Sequence, residues 1–180
     1  MMNIRMLLLV CMTSSSLMFT ACSTLKSSAS APIPTSGRWV LLPAINNTET
    51  PQAGGRLDSI TTSLLYTHGI KDLSTYPAAN QAGDSLFDSA DRRSQEEALV
   101  WAKKQGAQYA VAGTVEEWRY KVGMDGEPVV GITISIIDLN SGKMVWTGSG
   151  ARTGWGREAV SGVAQELVYA LLDKAISHGK

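Results

Sequence analysis

The stretch that most constrains the fold runs from Tyr109 to Trp155 and contains three consecutive strand patterns. Each pattern is an alternating or continuous apolar run, which is typical of strands. Two turn signals separate them, Asp125-Gly126 and Asn140-Ser141-Gly142, where glycine accepts the positive φ that tight hairpins often require. The stretch therefore predicts an antiparallel three-stranded meander, against which the rest of the domain packs.

The flanking patterns complete a mixed α/β sheet. In the second meander strand, Ile132, Ile134 and Ile136 share one face, so we expect that face to pack against helices. A strand, a helix and a second strand precede the meander, which predicts a right-handed crossover with these two strands parallel. We therefore predict about five strands and three main helices in the order β-α-β-α-β-β-β-α. The predicted elements outside the meander are strand Trp39–Pro43, a helix between Gly55 and Gly69, strand Ile70–Tyr76, a long loop from Ala78 to Arg93, helix Gln95–Gln105 with a capping box of Ser94 and Glu97, and helix Arg157–Ser177.

The N-terminus has the pattern of a bacterial lipoprotein signal peptide. Arg5 supplies a positive n-region, and the apolar segment after it is too short to span a membrane. Phe19-Thr20-Ala21 before Cys22 resembles a lipobox, in which the cysteine is acylated, and Ser23 resembles the following residue of lipoproteins sent to the inner leaflet of the outer membrane. We therefore expect a lipid-anchored protein that faces the periplasm. The predicted divisions are a signal peptide (1–21), a lipidated, solvated tether (22–37) and a single α/β domain (38–180).

Composition argues against nucleic-acid binding and against metal or disulfide chemistry. The 16 Lys and Arg residues balance 16 Asp and Glu residues, so no basic excess is available for nucleic acid. Cys11 leaves with the signal peptide and Cys22 is acylated, which excludes a disulfide or a cysteine metal site within one mature chain. His68 and His178 lack the spacing of a triad or a metal site, and we interpret them as residues at helix C-termini. We predict no metal and no cofactor.

The paired acidic residues of the first meander strand do not predict a catalytic site either. Strict alternation places Glu116 and Glu117 on opposite faces, with Trp118 on the face of Glu116. Such a pair does not suit glycoside cleavage, and we interpret the carboxylates as a solvated face or as partners of Arg119 or Lys121. The sequence therefore predicts a protein that is not an enzyme.

Three segments together resemble the PelC family of outer-membrane lipoproteins, which serve Pel exopolysaccharide secretion. They are EEWRYKVGMDGEPVV from Glu116 to Val130, the later VWTGSGARTGW and the earlier LLPAINNTETPQAG. The resemblance covers nearly the whole mature domain. It implies a non-enzymatic subunit of a dodecameric ring beneath the outer membrane, which guides a cationic amino-sugar polysaccharide to the β-barrel porin PelB.

The resemblance also implies roles for particular residues. Asp125, in the turn of the first hairpin, is carried over as part of the acidic surface that guides the polymer, and we add Glu127 and Glu117 to that surface. Trp155 is carried over as a membrane-facing aromatic residue, with Arg152 and Arg157 nearby to meet lipid phosphate groups. For Asp125 a purely turn-forming role stays open, and for Trp155 a place in the core stays open.

Other function classes also stay open. One is a monomeric α/β lipoprotein that activates an envelope synthase, and another is a curli-type secretion lipoprotein. The curli type needs long extra hairpins to line a barrel, for which the sequence has no segment. A hydrolase acting on the polymer lacks suitable residues. The oligomeric state separates a ring subunit from a monomeric activator.

Overall fold

The computed structural model describes residues 23–28, 30–77, 88–123 and 126–176, and for residues 88–91 it describes the backbone alone. The strands are β1 (Ser23–Ser27), β2 (Trp39–Leu41), β3 (Ile45–Asn46), β4 (Leu73–Thr75), β5 (Tyr109–Tyr120), β6 (Pro128–Asp138) and β7 (Lys143–Thr153). The helices are α1 (Ala53–Thr67), α2 (Asp88–Lys104) and α3 (Val160–Ala175). Within the described residues, the seven strands form one mixed sheet in the order β1-β7-β6-β5-β2-β4, with β3 paired to β5 beside this path. The predicted mixed α/β class is confirmed, and β1 and β3 are strands that the sequence did not predict.

The meander is present as predicted. β6 pairs antiparallel with β5 on one side and with β7 on the other. In the second turn, the N–H of Asn140 donates to Asp138 Oδ1 at 2.8 Å, which is a common way for an aspartate to stabilise a turn. β2 pairs in parallel with both β4 and β5, so the predicted parallel strand–helix–strand unit is also confirmed.

One face of the meander, the covered face, packs under α1 and α3. Ile132, Ile134 and Ile136 are fully buried there, in one apolar cluster with Leu167 and Leu171 of α3. Each side chain of this kind contributes roughly 1.5–3 kcal/mol when it leaves water. The isoleucine face predicted from the sequence is therefore the main core of the domain.

Within the part of the chain that the structure describes, the opposite side of the sheet is only partly covered by a helix. A second apolar cluster joins Val40 and Ala110 of the strands to Ala98 and Ala102 of α2, so α2 lies over the β2–β5 region. Farther along this side, β6 and β7 present hydroxyl pairs across the strands. Thr133 bonds Ser149 at 3.1 Å, and Ser135 bonds Thr147 at 2.9 Å. We call this part of the sheet, from the end of β5 across β6 and β7 to β1, the open face.

The N-terminal segment interpreted from sequence as a tether contacts the folded domain at two places, the sheet and the end of α3. β1 pairs antiparallel with β7, and Leu25 packs against the core. Farther on, Ile33 is buried and its N–H donates to Ala175 O at 2.9 Å. Because β1 pairs through backbone hydrogen bonds and four of its five residues are polar, it leaves little trace in the apolar pattern.

The start of α2 differs from the prediction. The helix begins at Asp88, so Ser94 lies inside it and the capping box of Ser94 and Glu97 was wrong. The part of the predicted long loop from 78 to 87 lies outside the described residues. In the described part of the chain, no helix is both long and apolar enough to cross a membrane.

Candidate functional site

The candidate site lies around one edge of the sheet, which we call the hairpin edge. Here β5 ends at Tyr120, β6 begins at Pro128, β7 ends at Thr153 and β1 begins at Ser23. The pairings Tyr120–Pro128, Val129–Thr153 and Ser23–Arg152 bring these strand ends side by side. Residues from the N-terminal segment and from both ends of the meander therefore meet at one edge.

Trp155 follows β7 at this edge and lies at the surface, with 50% of its area exposed. Its backbone is held in a short closed turn, because the Trp155 N–H donates to Glu158 Oε2 at 2.9 Å and the Glu158 N–H donates to Trp155 O at 3.0 Å. The Tyr120 hydroxyl donates to Glu158 O at 3.3 Å, which ties the same turn to the end of β5. The exposed indole thus stands on a fixed backbone.

Gly154 makes this turn possible by close approach. A Cβ at this position would lie against Glu158 Oε2, 2.5 Å from Val163 Cγ2 and 2.9 Å from Pro128 Cγ. Its own N–H donates to Pro128 O at 2.8 Å. Since a side chain cannot fit without displacing the turn or α3, the glycine fixes where Trp155 stands.

The two arginines predicted to accompany Trp155 have different surroundings. Arg152 forms an ion pair with Glu166 of α3, and its side chain is partly buried. Arg157 is exposed and has a left-handed backbone with φ 75°, which is uncommon for a residue with a side chain. Cys22 lies outside the described residues, but it directly precedes Ser23, which pairs with Arg152. The hairpin edge is therefore also where the chain emerges from residue 22.

Of the three predicted acidic residues, the structure describes Glu117 and Glu127, which lie apart. Asp125 lies outside the described residues. Glu127 stands beside that turn and forms an ion pair of 3.0 Å with Lys121. Glu117 forms an ion pair of 2.7 Å with Arg119 and lies opposite Gly131 of β6. Gly131 is four residues after Glu127, which corresponds to roughly 13 Å along a strand. Glu117 thus belongs to the open face, away from the hairpin turn.

A β-bulge corrects the predicted orientation of the neighbouring carboxylates. The register between β5 and β6 shifts between Val115 and Glu117, which leaves Glu116 as the extra residue. A Cβ built on Gly131 would lie 3.5 Å from Glu116 Cβ and 3.3 Å from Glu117 Cβ, so both side chains leave the strand on the same side. The shift also turns Trp118 into the main core, where it is 3% exposed. The prediction that Glu116 and Glu117 face opposite ways, with Trp118 on the face of Glu116, was wrong.

Beside this bulge the open face forms a concavity with a volume of ≈ 890 Å³, which we call the bulge groove. Its walls come from β1, the Thr48–Pro51 segment and the bulge, and its floor comes from β6 and β7. Side chains in its lining include Thr24, Glu49, Thr50, Glu116, Glu117 and Ser149. The sequence did not indicate this groove, because its walls meet only through β1 and the bulge.

The described residues hold no group of three or more His, Cys, Asp or Glu side chains arranged to bind a metal ion. His68 ends α1 but is 3% exposed, and its Nδ1 lies 2.8 Å from Leu64 O. His68 is the C-cap residue of α1, so its predicted place at a helix C-terminus is confirmed, while His178 lies outside the described residues.

Comparison with solved structures gives strong matches. The chain is similar to the PelC dodecamer from Paraburkholderia phytofirmans, with 37% identity and a TM-score of 0.71, over 85% of this chain and 96% of that one. A variant of that dodecamer in another crystal form matches with 36% identity and a TM-score of 0.71, over 85% and 97%. A lipoprotein from Neisseria meningitidis shares the fold at 17% identity and a TM-score of 0.53, over 77% and 97%. No protein-family model matches the chain, and neither does any curated protein sequence.

Proposed function

The chain belongs to the PelC family, and on that premise we propose that it is a lipid-anchored, non-enzymatic ring subunit that guides a cationic amino-sugar polysaccharide to the outer-membrane porin PelB. The observation that carries the proposal is the 37% identity to a PelC dodecamer over 85% of this chain. The described residues fit a subunit of an assembly, since they form an apolar core of their own while the open face and the hairpin edge lie at the surface.

The position of β1 supports an anchor at the hairpin edge. Acylation of Cys22 would put the lipid directly before Ser23, at the edge that also carries Trp155. An indole favours the interface between lipid and water, and exposed Arg157 is available to meet phosphate groups. We therefore place the hairpin edge against the inner leaflet of the outer membrane. Mass spectrometry of membrane-extracted protein is expected to find an acylated N-terminal Cys22, whereas retained residues 1–21 on the mature protein would contradict this placement.

Guidance of a cationic polymer depends on carboxylates that recur in every subunit of the ring. A single exposed carboxylate interacts weakly, but Asp125 and Glu127 repeated in every subunit of a ring would add their fields in an enclosed channel with low-dielectric walls. Lys121 partly offsets Glu127 through its ion pair, so Asp125 is assigned the larger share. This attraction is expected to weaken with salt, over a Debye length of about 8 Å at physiological ionic strength.

Light scattering coupled to size-exclusion chromatography tests the assembly on which the proposal depends. Protein extracted from membranes in mild detergent is expected to give a mass of about twelve subunits once bound detergent is subtracted. A single defined mass is expected because closed symmetric rings have a fixed number of subunits. A stable monomer at micromolar concentration would contradict the ring and would favour the monomeric activator of an envelope synthase.

A further inference from the structure

We propose that the bulge groove is a subsite that binds a short run of an amino-sugar chain, an inference that rests on the proposed function. It adds a second contact surface to each subunit, separate from the hairpin turn that carries Asp125. The groove lies on the open face beside Glu116 and Glu117, whereas Glu127 marks the hairpin turn about four residues along the sheet.

The shape of the groove suits a ligand rather than only surface water. Its volume of ≈ 890 Å³ falls within the roughly 300–1,000 Å³ typical of small-molecule sites. Gly131 keeps its floor open, because a Cβ there would lie 3.3 Å from both the Cβ and the backbone N of Glu117. The bulge and the glycine together turn a flat strand surface into a concave one.

The chemistry of the lining suits ammonium and hydroxyl groups. Glu116 Oε2 accepts a 3.0 Å hydrogen bond from Asn47 Nδ2, and Arg119 Nη2 lies 2.7 Å from Glu117 Oε1. These contacts orient the two carboxylates, and a carboxylate accepts more than one donor, so both retain capacity for a ligand. The exposed Glu49 contributes a third carboxylate, against the two cations Lys26 and Arg119.

Hydroxyl groups from three parts of the chain complete the lining. Thr24 of β1 and the Thr48–Thr50 segment contribute to the walls, and Ser149 of β7 contributes to the floor. Carbohydrate rings carry many hydroxyls that both donate and accept, and a wall of hydroxyls and carboxylates can match them in several registers. Such a surface holds a sliding polymer without fixing one sugar in place.

A neighbouring subunit is a less suitable occupant of the same groove. The centres of protein interfaces are depleted in charged residues and enriched in aromatic ones. Among the described residues that line it, the bulge groove instead presents five charged side chains and one aromatic side chain, Trp118, which is 3% exposed. The charges therefore favour a hydrated, cationic saccharide over a second copy of the chain.

Isothermal titration calorimetry of the detergent-purified protein tests the subsite, with a glucosamine tetramer as the probe and the N-acetylglucosamine tetramer as its neutral counterpart. We expect the wild-type protein to bind the glucosamine tetramer more tightly. The double variant Glu116→Gln, Glu117→Gln is expected to weaken that binding by at least about tenfold, since it removes two charge-assisted contacts. Glu96→Gln, on the exposed side of α2, is the matched control and is expected to leave binding unchanged.

Further variants distinguish a saccharide subsite from binding at the hairpin turn and from a contact between subunits. Glu49→Gln changes a single exposed loop residue, so it tests the groove whether or not the double variant folds. It is expected to weaken binding about threefold. Unchanged affinity in both groove variants with weaker binding in Glu127→Gln would overturn the subsite and leave the proposed function standing. Absence of binding by the wild-type protein would also overturn it, and polymer export would still test the function. A groove variant that folds but loses the ring mass would identify the groove as a subunit contact and overturn the proposal.

Discussion

The covered face and the open face of the same meander differ in the interactions that their side chains make. On the covered face, Ile132, Ile134 and Ile136 pack in one apolar cluster with Leu167 and its neighbours in α3. On the open face, short hydroxyl side chains pair with each other across the strands, and carboxylates surround a groove. Apolar side chains must leave water, whereas hydroxyls and carboxylates remain stable in contact with it. The chain thus uses one face for its own stability and leaves the other available for contact with something else.

The largest difference between the faces should appear in stability. Ile134→Ala removes a fully buried side chain from the covered face and is expected to lower the free energy of unfolding by about 2–5 kcal/mol. Thr133→Ala, one residue away on the open face, removes a partly exposed side chain with one 3.1 Å hydrogen bond and is expected to cost about 0.5–1.5 kcal/mol. Urea unfolding followed by circular dichroism compares the two. Equal losses would show that the open face is as much a part of the core as the covered one.

The boundary between core and hairpin edge can be tested at Gly154. Gly154→Ala forces a methyl group against Val163 and Glu158 and is expected to cost about 1–3 kcal/mol. Gly162→Ala is the matched control, because a Cβ there meets no described atom within 4 Å apart from the adjacent helix backbone, and alanine favours the helix. The same unfolding measurement should find Gly162→Ala neutral or stabilising. An equally neutral Gly154→Ala would mean that the Trp155 turn is not held by close packing.

Trp155 should matter for membrane contact far more than for stability. Because the indole is half exposed, Trp155→Ala is expected to cost under about 1.5 kcal/mol of stability while reducing binding to anionic vesicles. Tyr66→Ala, an equally exposed aromatic on α1, is the control and should leave vesicle binding unchanged. The readouts are unfolding and vesicle flotation of the unacylated Cys22→Ser protein.

Fluorescence tests the same membrane contact in a variant that retains Trp155 as its single tryptophan. The fluorescence emission of this variant should shift to the blue on adding vesicles. Emission that is already blue without vesicles and does not move would contradict the membrane role.

The sequence predicted the covered face well because that face follows simple rules. Ile132, Ile134 and Ile136 alternate along one strand, and Asn140-Ser141-Gly142 marks the turn that returns it. The apolar stripe of α3 then packs against the isoleucine face of the meander. Period and turn chemistry therefore sufficed for the mixed α/β class and for the meander.

The open face was harder to predict because backbone interactions shape it. β1 has a single apolar residue, Leu25, and pairs through its main chain, so its sequence resembles a linker. The bulge did leave a signal in the sequence, since the large apolar residues of this strand change from odd to even numbers between Val115 and Trp118. The start of α2 at Asp88 has no apolar periodicity to mark it, which is why the predicted helix began too late.

Polymer export by a strain that carries Asp125→Lys most directly tests the central claim, that charges outside the core guide a cationic polymer through a ring. Asp125 falls in sequence between β5 and β6, in a segment with the composition of a turn, so the variant is expected to fold and to assemble with an unchanged mass. Reversal of a charge that is repeated around a channel should greatly reduce secreted polymer, while Asp125→Asn should give a smaller loss. Wild-type levels of secreted polymer from a correctly assembled Asp125→Lys ring would contradict the account.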